Sequence, residues 1–275
     1  MMDFLRRGLA PVASGAWGEI DETVARVLRA QLRGRSVVDV EGPFGLDRAA
    51  VGLGRLNSVS NPEKGEVGFG VHRVQPLVET RVSFDLDVWE LDNHARGAVD
   101  LKLDAAEEAA RAIARFEDEA VFNGFDDGSI VGLTELREHD PVAIAAEPGS
   151  FLDGVARALL TLRDAGVEGP YALVLGPDLY RLYATHAAGY PLKKQVQNLV
   201  EGDVVYARSL EGALLLSQRG GDFVLTLGQD LAVGYEGHTN RTATLFITES
   251  FTFRVVDPNA GVVLPVKSSQ DAVPG

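Results

Sequence analysis

The chain has no cysteine. Disulfides, thiolate metal sites and cysteine nucleophiles are therefore excluded. No stretch approaches the roughly 20 apolar residues of a membrane-spanning helix. No apolar run of signal-peptide length follows Arg6-Arg7, so the reading is a soluble, cytoplasmic protein. Internal repeats and low-complexity segments are missing. So are the Walker P-loop, the G-x-G-x-x-G loop and the G-x-S-x-G elbow, which removes the commonest local signs of nucleotide and acyl-transfer chemistry. No Glu-x-x-His pair, the helix signature of di-iron carboxylate sites, occurs either.

What is present is a chain of 275 residues, 45% apolar, with a formal net charge of −14. That length suits one large domain or two small ones, and the apolar content supports a real core. The acidity argues against nonspecific binding to nucleic acid or anionic membrane.

The strongest pattern spans residues 217–256. Leu245, Ile247, Phe251, Phe253 and Val255 share one parity, and Thr244, Thr248, Ser250, Thr252 and Arg254 the other. A period of two marks a strand with one buried face. Asp222 to Tyr235 reads as its partner, joined through residues 236–240, which makes a long antiparallel hairpin.

Elsewhere the spacing of Trp17, Ile20, Val24, Val27 and Leu28 predicts a helix over 15–34, with Ser14 as cap and Gly34 as stop. Residues 49–82 read as an extended β-ribbon that cannot bury itself and needs a partner surface. Asp104 opens a long helix to Phe122, with Ile113, Phe116 and Ala120 on its apolar stripe. Further helices are expected over 150–164, 178–187 and the stretch ending near Val200. Strands are expected at 171–175, 204–208 and 213–217. Mixed helices and strands bracketed by β segments give an α+β layout.

Few residues suggest chemistry. Glu90 and His94 stand four apart, as two metal ligands on one helix face would, or as a solvated pair. Glu117, Asp118 and Glu119 point in different directions on a helix and read as surface charge. No local spacing singles out a serine nucleophile.

Segments spread along the whole chain resemble one family. They include Met2-Asp3-Phe4-Leu5-Arg6-Arg7, Val37-Val38-Asp39-Val40-Glu41-Gly42-Pro43-Phe44-Gly45, Pro76-Leu77-Val78-Glu79-Thr80-Arg81 and Trp89-Glu90-Leu91-Asp92-Asn93. Arg219-Gly220-Gly221-Asp222-Phe223 and Phe246-Ile247-Thr248-Glu249-Ser250-Phe251-Thr252-Phe253 continue the series in order. Together they are similar to the shell proteins of encapsulin nanocompartments, also called the linocin-type bacteriocin family. The likeness runs from about residue 2 to about residue 265 and leaves a tail over 266–275.

This resemblance implies the fold of tailed-bacteriophage (Hong Kong 97) major capsid proteins. The peripheral domain would comprise 1–48, 83–130 and 223–265, the extended loop 49–82, and the axial domain 131–222. It implies a non-enzymatic subunit that assembles, in about sixty copies, into an icosahedral shell around a cargo enzyme. The cargo would be a ferritin-like iron oxidase or a dye-decolourising peroxidase, held by its C-terminal targeting peptide. Val24, Val27, Leu28, Leu231, Val233 and Tyr235 would form the docking groove, rimmed by Arg35 and Asp39, unless they only pack the core. His186, Ala187, Ala188, Gly189 and Tyr190 would ring a five-fold pore, unless they form an ordinary helix-ending turn. Arg81 and Trp89 would stack a flavin, unless the indole is buried at a subunit contact. No cofactor is required and no resident metal is expected. A bacteriocin or peptidase activity and a phage capsid remnant are the alternatives.

Overall fold

A computed structural model describes residues 4–57, 59–60, 62–186 and 191–267. In chain order the elements are α1 (Ser14–Gln31), β1 (Asp39–Glu41), β2 (Ala50–Asn57), β3 (Val71–Pro76), β4 (Val78–Asp87), α2 (Val88–Ala95) and α3 (Asp104–Asn123). Then come α4 (Pro148–Asp164), β5 (Tyr171–Leu175), α5 (Pro177–Thr185), α6 (Leu192–Val200), β6 (Val204–Tyr206) and β7 (Ala213–Ser217). The last four are β8 (Phe223–Leu227), β9 (Ala232–His238), β10 (Thr242–Val255) and β11 (Gly261–Leu264).

β10 organises the first sheet. Its 14 residues pair antiparallel with β4 from Thr242 to Phe251 on one edge. On the other edge β9 pairs Ala243 to Thr248 and β8 pairs Phe251 to Val255. The expected hairpin is therefore present, with its returning strand broken between Leu227 and Ala232. Gly228 occupies the break because a Cβ there would lie 2.4 Å from the Ser250 hydroxyl. The backbone re-engages through Gly228 N to Ser250 O at 2.7 Å and Ser250 N to Gln229 O at 2.8 Å. Such an irregularity bends a strand and re-aims a side chain; here that side chain is Asp230.

The alternation in β10 is real, but both of its faces are covered. Leu245 and Ile247 join one hydrophobic cluster, Phe251 and Phe253 another. Phe246, Thr248, Ser250 and Thr252 on the opposite face are buried too. Burial of small polar residues is tolerated where a bond is made, as from Thr248 Oγ1 to Thr80 O at 2.7 Å.

A second sheet runs β11-β7-β5-β6. α4 packs on β11 and β7, and α6 on α4 and β5. β5 and β7 are buried at every position, which explains why they read as continuous apolar runs. β11 comes from the C-terminal part of the chain and pairs Gly261–Leu264 with Leu216–Ala213. One cluster joins Leu173, Leu215 and Leu264 of this sheet to Leu225, Phe251 and Phe253 of the first. The two sheets thus share a core.

Among the described residues, β2 and β3 pair only with each other. The ribbon ends at Pro76, and the following residues enter the main sheet as β4. Gln75 Nε2 pins its base to Phe253 O at 2.8 Å. α1 stops at Gln31, short of Gly34. Gly34 sits instead in a 3-10 turn, Gly34–Ser36, where its amide donates to Asp118 at 2.8 Å.

Candidate functional site

α1 lies against α3 and the β9–β10 pair. Val24, Val27 and Leu28 enter a cluster with Val233, Tyr235, Leu245 and Ile247, and Leu231 packs on its border. The structure therefore brings the apolar candidates together. All but Leu231 are nearly fully covered by the chain itself, so they form a floor with little free surface. Tyr235 hydroxyl pairs with His238 Nδ1 at the outer end of β9.

The outer edge of β9 carries an occupant that the sequence did not announce. Tyr235 N donates to Leu5 O at 2.8 Å. Phe4 meets Phe246 edge to face at 6.3 Å, and Arg81 lies over both rings, 4.2 Å from Phe246 and 5.3 Å from Phe4. Arg7 covers Trp17 at 4.1 Å and bonds Asp21 at 2.5 Å. The N-terminal segment is thus strapped beside the docking candidates.

The guanidinium of Arg35, a rim candidate, is committed to carboxylates of its own chain. Nε lies 2.9 Å from Glu117 Oε1, Nη2 2.5 Å from Glu117 Oε2, Nη1 2.9 Å from Asp230 Oδ1 and Nη2 3.2 Å from Glu249 Oε2. Glu117 and Glu249 are 0% exposed. Burial, and then the neighbouring Glu117 charge, push the Glu249 carboxyl well above the usual carboxylate range. Burial works against the charge on Arg35, but its bonds to Glu117 and Asp230 outweigh that and hold its pKa up.

The acidic run is therefore not a surface patch; of its members only Glu119 is exposed. Asp118 Oδ1 accepts from Arg33 N at 3.0 Å and from Gly34 N at 2.8 Å. Burial pushes its carboxyl up to about 7, against the pull of those two amides. The signal was in the sequence: Ile113 and Glu117 are four apart and so share a helix face.

Asp39 lies elsewhere. It begins β1 opposite Val224, which pairs with Arg254, and its carboxylate accepts from Gly221 N at 2.6 Å. Arg254 and Glu249 stand about 17 Å apart along β10, so Asp39 and the Arg35 guanidinium address opposite ends of the pairing.

Arg81 and Trp89 do not meet within one chain. Arg81 faces Phe246, whereas Trp89 stands in the first turn of α2, capped by Asp87. Trp89 is 68% exposed, and the cation over its ring is Arg96 at 5.5 Å. Glu90 and His94 also have separate partners. Glu90 accepts from Asn93 Nδ2 and Lys102 N, both at 2.9 Å, while His94 faces Glu19 at 3.9 Å. His186 ends α5, half-buried, with its amide bonded to Leu182 O at 3.0 Å. Ala187, Ala188, Gly189 and Tyr190 lie outside the described residues.

The ribbon presents a different surface. Val67 is 89% exposed and Phe69 63%, with Leu56, Val59, Val71 and Val74 also uncovered. Exposed apolar side chains concentrated in one segment mark a surface meant for another molecule.

Comparison with known proteins agrees with this architecture. A family profile described as "Encapsulating protein for peroxidase" matches residues 2–252. The type 1 encapsulin shell protein of Rhodospirillum rubrum is 43% identical, over 96% of this chain and 96% of its own. Among solved structures, the virus-like particle from Pyrococcus furiosus superposes with a TM-score of 0.65 at 14% identity, covering 90% of this chain and 98% of that one. The capsid of the Myoviridae phage XM1 superposes with a TM-score of 0.56, also at 14% identity, over 86% and 90%. At such identities the structural likenesses speak for the fold alone, which is that of tailed-phage capsid proteins. The sequence likeness goes further: the chain belongs to the encapsulin shell-protein family.

Proposed function

We propose that about sixty copies of this chain close into an icosahedral cytoplasmic shell around a cargo enzyme. The observation that carries the reading is the uncovered ribbon. A two-stranded ribbon with Val71 and, in its connecting segment, Val67 and Phe69 in water is not stable alone, and a neighbouring copy of the chain would cover it. Many such contacts on a closed surface make assembly strongly cooperative.

The cargo would be a peroxidase, as the family description suggests, or a ferritin-like iron oxidase. Its C-terminal peptide would lie along the face built by α1 and β9, touching Leu231 and the edges of Val24, Val27, Leu28, Val233 and Tyr235, with Arg35 at the rim and Asp39 beyond it. An extended peptide suits a shallow apolar face beside a strand edge. His186 and residues 187–190 would ring the five-fold opening and control entry of ions and small molecules. A flavin on Arg81 and Trp89 would require the two side chains to come from different copies.

Electron microscopy and size-exclusion chromatography of the protein expressed alone provide the test. Uniform hollow particles of megadalton size are expected. A monomer or dimer without particles would overturn the proposal.

A further inference from the structure

A cleft of about 620 Å³ opens between the C-terminal end of α1, the middle of α3 and the connection after β6. Arg33, Arg115 and Arg208 line it, together with Tyr206 and Ser209. The three arginines come from parts of the chain far apart in sequence and meet only in the fold. The guanidiniums of Arg115 and Arg208 have no hydrogen bond or ion pair with any described residue. Ser209 Oγ is buried without a partner. The Tyr206 ring leans on Tyr180 at 5.0 Å and keeps 36% of its surface free.

Two acids line the same cleft, and they offset the charge of the three arginines only in part. Asp118 has its carboxylate turned to the amides of Arg33 and Gly34. Glu119 accepts from Asn123 Nδ2 at 3.3 Å. Like charges gathered around a concave surface repel one another and call for an anion. Guanidinium forks match the oxygens of a phosphate, with two parallel bonds each. In a chain of net charge −14, the local excess of arginine runs against the overall composition.

We propose that this cleft is an oxyanion site in which Arg33, Arg115 and Arg208 hold a phosphate group and the Ser209 hydroxyl donates a further bond. Inorganic phosphate and the phosphoryl group of a nucleotide share this chemistry, and the volume admits either.

The test is calorimetric titration of purified assembled shells, at fixed ionic strength, with inorganic phosphate and separately with ATP. Saturable binding at one site per subunit is expected. Affinity should fall at least about tenfold in the Arg115→Gln, Arg208→Gln double variant. It should be unchanged in Arg157→Gln, Arg181→Gln, where exposed arginines pair with Asp153 and Asp178. Ser209→Ala, a change too small to disturb assembly, should weaken binding by about threefold. Tighter binding of ATP would assign the site to a larger phosphorylated molecule, equal binding to phosphate itself. No saturable heat with either ligand, or equal losses in both double variants, would overturn the proposal.

Discussion

Arg35 and Glu117 face each other across the junction of α1 and α3, with Arg35 Nε 2.9 Å and 3.0 Å from the two carboxylate oxygens. Glu249 shares the same guanidinium from β10, and Asp230 reaches it from the break in the hairpin. Three segments of the chain thus converge on one cation. Breaking such a buried pair leaves uncompensated charge, at a cost of about 3–5 kcal/mol. Arg35→Ala should lower the melting temperature of the assembled particle sharply. Glu249→Gln should lower it much less, because burial and the neighbouring Glu117 already disfavour the charge on Glu249, and a neutral amide there leaves no buried charge unpaired. Scanning fluorimetry of both variants would read the contrast, and equal losses would count against it.

Asp118 and Glu249 also set a pH dependence. Both carboxyls titrate higher in the folded chain than in the unfolded one. The folded state then binds more protons, so stability falls as pH rises. For Asp118 the contribution is full below about pH 4 and is lost as pH rises through about 7. Asp257, whose carboxyl is held low by its bonds to Asn259 and Arg219 despite burial, acts in the opposite sense and only in stronger acid. Between about pH 4 and 7 the melting temperature should therefore fall less steeply with rising pH in Asp118→Asn than in the parent protein. Parallel curves would show that Asp118 does not titrate in this window.

The ribbon should matter to assembly and not to the subunit. Val67 and Phe69 touch little of their own chain, yet burying an apolar side chain yields about 1.5–3 kcal/mol. The Val67→Asp, Phe69→Asp double variant is expected to elute as free subunits with an unchanged circular dichroism spectrum. Intact particles from this variant would point to a different assembly surface.

Phe4 should protect the edge of β9. An aromatic pair is worth about 0.5–1.5 kcal/mol, and the bond from Tyr235 N to Leu5 O depends on the strap that Phe4 anchors. Phe4→Ala should raise the hydrogen-exchange rate of the Tyr235 amide severalfold while leaving the amides of β5 unaffected. An unchanged rate would mean that the strap holds without the ring.

The helices and most strands were legible because their periodicity is local: Val24, Val27 and Leu28 recur at helical spacing, and β10 alternates. The partners were harder to read. Nothing around Gly261 says that β11 crosses to β7, because strand pairing depends on residues some fifty positions away. Glu117 and Asp118 looked like surface charge because carboxylates usually are, and Arg35 and the Gly34 amide reach them only through the fold. The family resemblance implies Arg81 and Trp89 as a pair. They part because β4 is extended from Arg81 to Asp87, which carries the chain about 20 Å over those six residues before α2 begins.

β11 gives the subunit a mechanical character. Because Gly261–Leu264 fastens to β7 while Phe251 and Phe253, a few residues earlier, sit in the shared core, the two sheets cannot rock against each other without tearing a strand from its neighbour. Each copy behaves as a stiff tile, and the curvature of a closed shell has to be taken up at the seams between tiles.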